Sequence, residues 1–418
     1  HRAVHILIDC GNKFNSLDRL GECIAHLKNE LPDGSPGKKR LDLLVVSHPH
    51  EDHHKGFEEA FFAGIDIERI WLSPAFDRLN PKAQGFHALK AAARRALRSL
   101  SAFAAGDMKA QVEELLSLSK EEAVDLLCKG MNKGIVPLYV TADTPPAELK
   151  IFDDPAIELK VIGPMGDVDA YYLGGAGLVN ALNAAAPQGM AQGYQALFPG
   201  AQAKEVRQPG NISVKDFKLL RGHIQGSALA AAELAGKAEN NLSVVLLLDW
   251  HGRRLLFPGD AEWSSKNNIK VKPGKCNSSW NVMWQERNAD LSDRLDFLKI
   301  GHHGSENATP WAPADKKGKF PDINQILDAL LPVPQASEAP RGYAVASTER
   351  TSRWPSIPNA KLMEAIGRRV VNSRTAYVEA AGDLVVKPGV PQPQRTDLED
   401  QVSGGAVPFI DISFDPVA

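Results

Sequence analysis

Four histidines and an aspartate crowd into the eight residues Ser47-His48-Pro49-His50-Glu51-Asp52-His53-His54, directly after the apolar run that begins at Leu41. An apolar run that stops on such a cluster reads as a buried strand, Leu41 to Ser47, delivering polar side chains to its C-terminal end. Divalent ions take neutral imidazole nitrogen and carboxylate oxygen. A tight loop after a strand can therefore aim His48 and His50 at one ion, and Asp52 and His53 at a neighbour. A second pair, His302-His303, also follows an apolar run, Leu295 to Ile300, so that six of the twelve histidines fall in two short segments. Between them Leu255 to Phe257 leads into Pro258-Gly259-Asp260, a carboxylate at a strand end that can bridge two cations. One of His302 and His303 would complete the second ion's shell. The other would contact substrate or donate a proton, and adjacency in sequence leaves the choice open.

The remaining chain reads as strands and helices in alternation. His5 to Asp9 is a short strand, with Asp9 at its edge. Ser16 to Leu31 is a helix whose apolar positions Leu17, Leu20, Ile24 and Leu27 share one face, ended by Pro32-Asp33-Gly34. Ile67 to Ser73, Ile135 to Thr141 and Ile157 to Ile162 are strands. Leu242 to Trp250 and Arg253 to Phe257 flank His251-Gly252 as a hairpin. Two stretches interrupt this pattern: a helical insertion at about 74–133, and a Gly-, Ala- and Gln-rich one at about 164–239 whose clear helix is Ser227 to Ala238. Gly342 to Ser347 is a strand, Asn359 to Arg369 a helix and Thr375 to Val386 a hairpin. The expected fold class is α/β, with residues 1–388 as the main domain. Residues 389–418 form a linker, Pro388 to Gln394, and a last strand, Pro408 to Phe414.

Composition narrows function mainly by exclusion. Hydrophobic and charged fractions of 43% and 24% are those of a folded globular chain. A net charge of −3 gives no global field for binding polyanions. Cys10, Cys23, Cys128 and Cys276 are scattered without CxxC spacing, which points to reduced or buried thiols and a cytoplasmic setting. The longest aliphatic run, Val244 to Leu248, is far short of the roughly 20 residues of a membrane-spanning helix, so no membrane segment is expected. Numbering starts at His1 in what reads as a mid-domain strand, so the lack of a leader says little about export.

The segments ILIDCGN, VVSHPHEDHHKG, the Asn-Asn-x-Ser-Val-Val-Leu run from Asn240, LLFPGDAE and LKIGHHGS occur in an order that resembles the metallo-β-lactamase superfamily. Within it they resemble the branch typified by the hydrolase domain of the competence protein ComEC. Tyr343 to Ser347, Trp354-Pro355 and Pro358 extend the likeness, while the two insertions have no counterpart. The resemblance implies an αββα sandwich, with His48 and His50 as ligands of one site, Asp52 and His53 of the other, Asp260 as the bridge, and Asp9 orienting the metal loop. It also implies two divalent metal ions, zinc first and manganese second. Many superfamily members carry a further histidine before the Gly-Asp strand. Here His223 has a similar local context, but it precedes a helix inside the second insertion and is read as an insert residue.

The expected activity is metal-dependent hydrolysis of a phosphodiester by an activated water, nucleic acid included, with Asp52, His302 and His303 as catalytic candidates and Lys299 beside the scissile group. Lys90, Arg94, Arg95 and Arg98 fall at helical spacing and could track a polyanion backbone, although a solvated helix face explains them as well. The alternatives are a small-molecule ester or amide hydrolase with the insertions as a lid, and a non-catalytic binding module on the same scaffold. Substrate and oligomeric state are not legible in the sequence.

Overall fold

The computed structural model describes residues 2–12, 17–101, 121–173, 232–264, 274–311, 321–335, 337–338, 340–346, 356–371, 379–380, 383–384 and 414–417, with isolated positions between 109 and 116, at 229 and at 271. His223, the linker at Pro388 to Gln394 and most of the expected last strand lie outside them. Within the described residues the chain is α/β, with parallel pairing in both main sheets.

One sheet is wholly parallel and runs in the order β1 (Ile6–Ile8), β3 (Leu43–Val46), β5 (Ile70–Leu72), β6 (Leu138–Tyr139). A two-stranded ribbon pairs β2 (Lys39–Leu41) with β4 (Ile65–Ile67). The runs Leu41 to Ser47 and Ile67 to Ser73, expected as single strands, are thus each divided between ribbon and sheet. At the first break Asp42 is buried, accepting from the backbone N–H of His5 and pairing with Arg2 and Arg40, and this local charge cluster interrupts the ladder.

The other sheet runs β11 (Tyr343–Ala346), β10 (Phe297–Ile300), β9 (Arg253–Phe257), β8 (Val245–Trp250), β7 (Ile157–Gly163). The first three are mutually parallel and the last two antiparallel to their neighbours. The β8–β9 hairpin turns at His251 and Gly252, both with positive φ, the geometry that matches the strand twist in a two-residue turn. Glu379–Ala380 (β12) and Asp383–Leu384 (β13) pair as a small hairpin. Phe414 is not in a strand; its ring packs edge-on to Phe297 and Tyr343.

Strand alternation distributes side chains between three apolar layers. Leu43, Val45 and Trp71 of the parallel sheet meet Leu159, Val161 and Leu246 of the other sheet in one shared core. The opposite face of the parallel sheet, Leu44, Val46, Ile70 and Leu72, packs with Ile24 and Leu27 of the helix Leu17–Glu30. The far face of the five-stranded sheet, Val245, Leu247, Leu256 and Leu298, packs with Trp280, Leu327 and Leu362 of the helices Ser279–Glu286, Pro321–Leu330 and Ala360–Gly367. A period of two sends each strand's neighbours to opposite faces, so the two sheets lie face to face with helices outside both.

The first of these outer helices and the third are ordinary in their chemistry but differ in how they begin. Asn359 caps the helix Ala360–Gly367 by accepting from the N–H groups of Lys361 and Leu362 at 3.1 Å. The helices at Ser279–Glu286 and Pro321–Leu330 had no sequence expectation.

Trp71 is 1% exposed in the layer between the sheets. Its replacement by alanine is expected to cost about 3–5 kcal/mol of stability. Urea unfolding monitored by far-ultraviolet circular dichroism measures this directly, and a loss below about 1 kcal/mol would contradict the shared core.

Candidate metal centre

The C-terminal ends of β1, β3, β9 and β10 open onto one rim, the position where strand ends of α/β sheets display their chemistry. Asp9 follows β1 with φ of 59°. Its carboxylate accepts from the N–H of Ser47 at 2.7 Å, from the Ser47 hydroxyl at 2.7 Å and from Nδ1 of His53 at 2.8 Å. Asp9 therefore fixes both ends of the loop after β3. Gly11 lets the backbones close up: a Cβ there would lie 2.5 Å from the carbonyl carbon of Asp52.

These contacts determine which nitrogens face inward. The Ser47 hydroxyl proton is directed to Asp9, so its oxygen is left to accept from Nδ1 of His48 at 3.1 Å. His53 likewise places Nδ1–H on Asp9. Both rings then turn Nε2 to the interior, where Asp260 lies: its Oδ2 is 3.8 Å from Nε2 of His48, and its Oδ1 is 3.2 Å from Nε2 of His53.

Asp260 reaches this point because Gly259 adopts φ of 56° and passes close to two neighbouring elements; a Cβ would sit 2.8 Å from Cβ of Ser243 and 2.9 Å from Cβ of Ser47. The N–H of Asp260 donates to Ser243 Oγ at 2.9 Å, and Asp260 Oδ1 accepts from the N–H of His302 at 3.0 Å.

Two groups of candidate ligands result among the described residues, each with atoms within 4.8 Å of one another: His48, His53 and Asp260, and Asp52, His53 and His303. His53 belongs to both. His50 stands beside the first group, with Nδ1 2.9 Å from Nε2 of His48. The sequence had paired His48 with His50 and Asp52 with His53. In the structure Asp52 and His53 share one group, and His53 also borders the other, because the helical turn Glu51–His54 aims that ring between Asp9 and Asp260.

The two adjacent histidines, both with positive φ, meet different partners. Nε2 of His303 meets Asp52 Oδ2 at 2.6 Å, whereas Nδ1 of His302 lies 3.5 Å from Glu262 Oε1. Lys299 donates to the carbonyl of its neighbour Ile300 at 3.1 Å, and burial lowers its pKa against the opposing pull of Asp260 and Asp9.

Burial and neighbouring charge define the protonation states. Burial pushes the pKa of His48 down, and His53 and His50 push the same way, so this ring is neutral as a ligand must be. Burial also opposes charge on His53, but Asp260 and Asp9 outweigh it and raise its pKa well above the ordinary range. Burial favours neutral Asp260 and Asp52; His53 overcomes this for Asp260, and the His303 hydrogen bond with the His53 charge does so for Asp52, so both are carboxylates. The loop thus demands positive charge between Asp9, Asp52 and Asp260.

Nε2 of His53 and Nδ1 of His302 are buried beside Asp260 and Glu262, at 3.2 and 3.5 Å, without a well-aligned hydrogen bond. Inward-facing imidazole nitrogens, ionised carboxylates and ring nitrogens without well-aligned hydrogen bonds suit a divalent ion with nitrogen and oxygen ligands.

Three surrounding residues escaped the sequence reading. Glu239, 4% exposed, lies 3.4 Å through Oε2 from Nε2 of His50 and pairs with Lys90; burial raises its pKa, but Lys90 and His50 prevail and bring it to about 2. Glu262 accepts from the Asn240 amide at 2.9 Å. Ser243 Oγ lies 3.3 Å from Nδ1 of His48. The Asn-Asn-x-Ser run and GDAE marked two of these segments; Glu239, one residue before the run, carried no spacing signal.

The basic stripe is largely committed elsewhere. Lys90 pairs with Glu239 and Arg94 with Glu121, while Arg95 and Arg98 are exposed. None of the four cysteines is in a disulfide, and burial, then Cys23 and Asp9, pushes Cys10 up to about 12. No helix among the described residues is long and apolar enough to cross a membrane. Compared with protein-family models and with curated proteins, the chain matches none.

Asp9→Ala removes the acceptor that orients Ser47 and His53. It is expected to weaken divalent-ion binding about 10- to 100-fold, as read by competition with a chromophoric chelator. Wild-type affinity in a folded variant would refute the assigned role.

Proposed function

We propose that the chain is a metal-dependent hydrolase of the metallo-β-lactamase type, and that it cleaves phosphodiesters. The observation carrying this reading is the meeting of Asp260, from one sheet, with His48 and His53 at the end of a strand from the other. The face-to-face sheets with helices outside support the αββα assignment, and the ligand groups support a two-ion centre. His48, His50, Asp52, His53, Asp260 and His303 would hold zinc or manganese. When bound, such ions act as Lewis acids and lower the pKa of water towards neutrality.

The chain's own residues supply orientation. Asp9 holds His53 and the loop backbone, and Ser243 supports both His48 and Asp260. His302 is the histidine left to contact substrate, with Glu262 behind it and a quarter of its side chain exposed at 25%.

Phosphodiester as substrate class rests on the resemblance to the ComEC-like branch. The pairing of Lys90 and Arg94 within the chain favours a second reading, a small-molecule ester or amide hydrolase, because it withdraws two cations from any backbone-tracking stripe.

His50→Ala and Asp260→Ala are each expected to lower hydrolysis by at least about 100-fold while the far-ultraviolet circular dichroism stays unchanged. Chelator should abolish wild-type activity, and added zinc or manganese should restore it. A screen with bis-p-nitrophenyl phosphate, single-stranded DNA and a p-nitrophenyl ester separates the readings: turnover of the ester alone favours the second, and chelator-resistant turnover overturns both.

A further inference from the structure

We infer that Glu239 is the positioning residue for His50 and that Lys90, from the first insertion, holds Glu239 in place, so that the insertion is part of the metal centre. The inference rests on the metal-centre reading and adds to it a residue outside the ligand groups.

The geometry excludes Glu239 as a ligand of the same ion. His50 turns Nδ1 towards Nε2 of His48 at 2.9 Å, while Glu239 Oε2 lies 3.4 Å from Nε2, on the other side of the ring. With an ion bound, a carboxylate behind Nε2 would keep the His50 proton there and leave Nδ1 to face the cluster; without one, the 2.9 Å contact with His48 carries a proton on one of its two nitrogens. A carboxylate behind a ligating histidine sets tautomer and ring orientation in this way and increases the basicity of the ligand.

Glu239 is itself fixed from two directions. It sits in the helix 232–241, whose following residues also touch the centre: Asn240 donates to Glu262, and Ser243 bridges His48 and Asp260. From the opposite side comes Lys90, midway along the helix Gln84–Ser101. Asp169 anchors the start of that helix by accepting from the N–H groups of Gly85 and Phe86 at 2.7 and 3.0 Å. Phe86, Leu89 and Ala93 bury its apolar face in the core behind the five-stranded sheet. Lys90 therefore projects from a rigid support, and a buried carboxylate with a fixed counter-ion keeps one orientation.

An ion pair that served only to attach the insertion would affect folding stability but not one ion more than the other. Positioning of His50 predicts a selective effect, because Asp52, His53 and His303 do not depend on Glu239. The test uses the metal-free full chain, wild type and the variants Glu239→Gln and Lys90→Met, titrated with cobalt(II). Visible absorption and chelator competition report binding, and circular dichroism reports folding. Glu239→Gln keeps the side-chain shape, and Lys90→Met approaches the same contact from the other helix.

Both variants are expected to retain one ion at wild-type affinity and to bind the other about 10- to 100-fold more weakly. Wild-type affinity for both ions in both variants would overturn the inference, as would equal weakening of both ions. Failure of the wild-type chain to take up any ion would overturn the metal-centre reading and this inference with it, an outcome distinct from either of the others.

Discussion

An ionised carboxylate at 3% exposure is the constraint on which the candidate metal centre depends. Burial of Asp260 disfavours its charge, and a buried charge persists only with opposite charge and hydrogen bonds around it. Here the compensation comes from two separate segments: His53 after β3, and the N–H of His302 after β10. The apolar layer formed by Leu43, Val45, Trp71, Val161 and Leu246 sets the sheets in the one register that brings these segments together. Gly259 permits the last close approach.

The balance of buried charge then links architecture to chemistry. Asp9, Asp52 and Asp260 converge on His53, which in the absence of another cation retains a proton against its own burial. Glu239, by contrast, already has Lys90. The centre thus divides into a part neutralised within the chain and a part that calls for added positive charge, and the second coincides with both ligand groups. Divalent ions meet that demand more completely than a single imidazolium does, because they can satisfy several carboxylate and imidazole lone pairs at once.

Much of this was legible locally. The histidine cluster after an apolar run announced a strand-end site, and Asp260 and His302-His303 carried the same strand-then-ligand pattern. The hairpin around His251-Gly252 and the helix at Leu17–Glu30 followed from turn chemistry and apolar spacing. What the sequence could not convey was orientation across distance. The assignment of His53 to both groups depends on Asp9 and Asp260 approaching from opposite sides, and the division between His302 and His303 depends on Glu262 and Asp52, contributed by other segments. Glu239 was hidden for the same reason. Its partners His50 and Lys90 lie far away in the chain, and its neighbours in sequence give no periodic signal.

Crystals of the chain grown with zinc or manganese, with data collected at the metal's absorption edge, test the central claim most directly. The account predicts anomalous density bonded to Asp260 and to the loop His48–His53 together, with ligand distances of about 2.0–2.2 Å. Density bonded to neither, or a loaded crystal with the metal only at other surfaces, would contradict it.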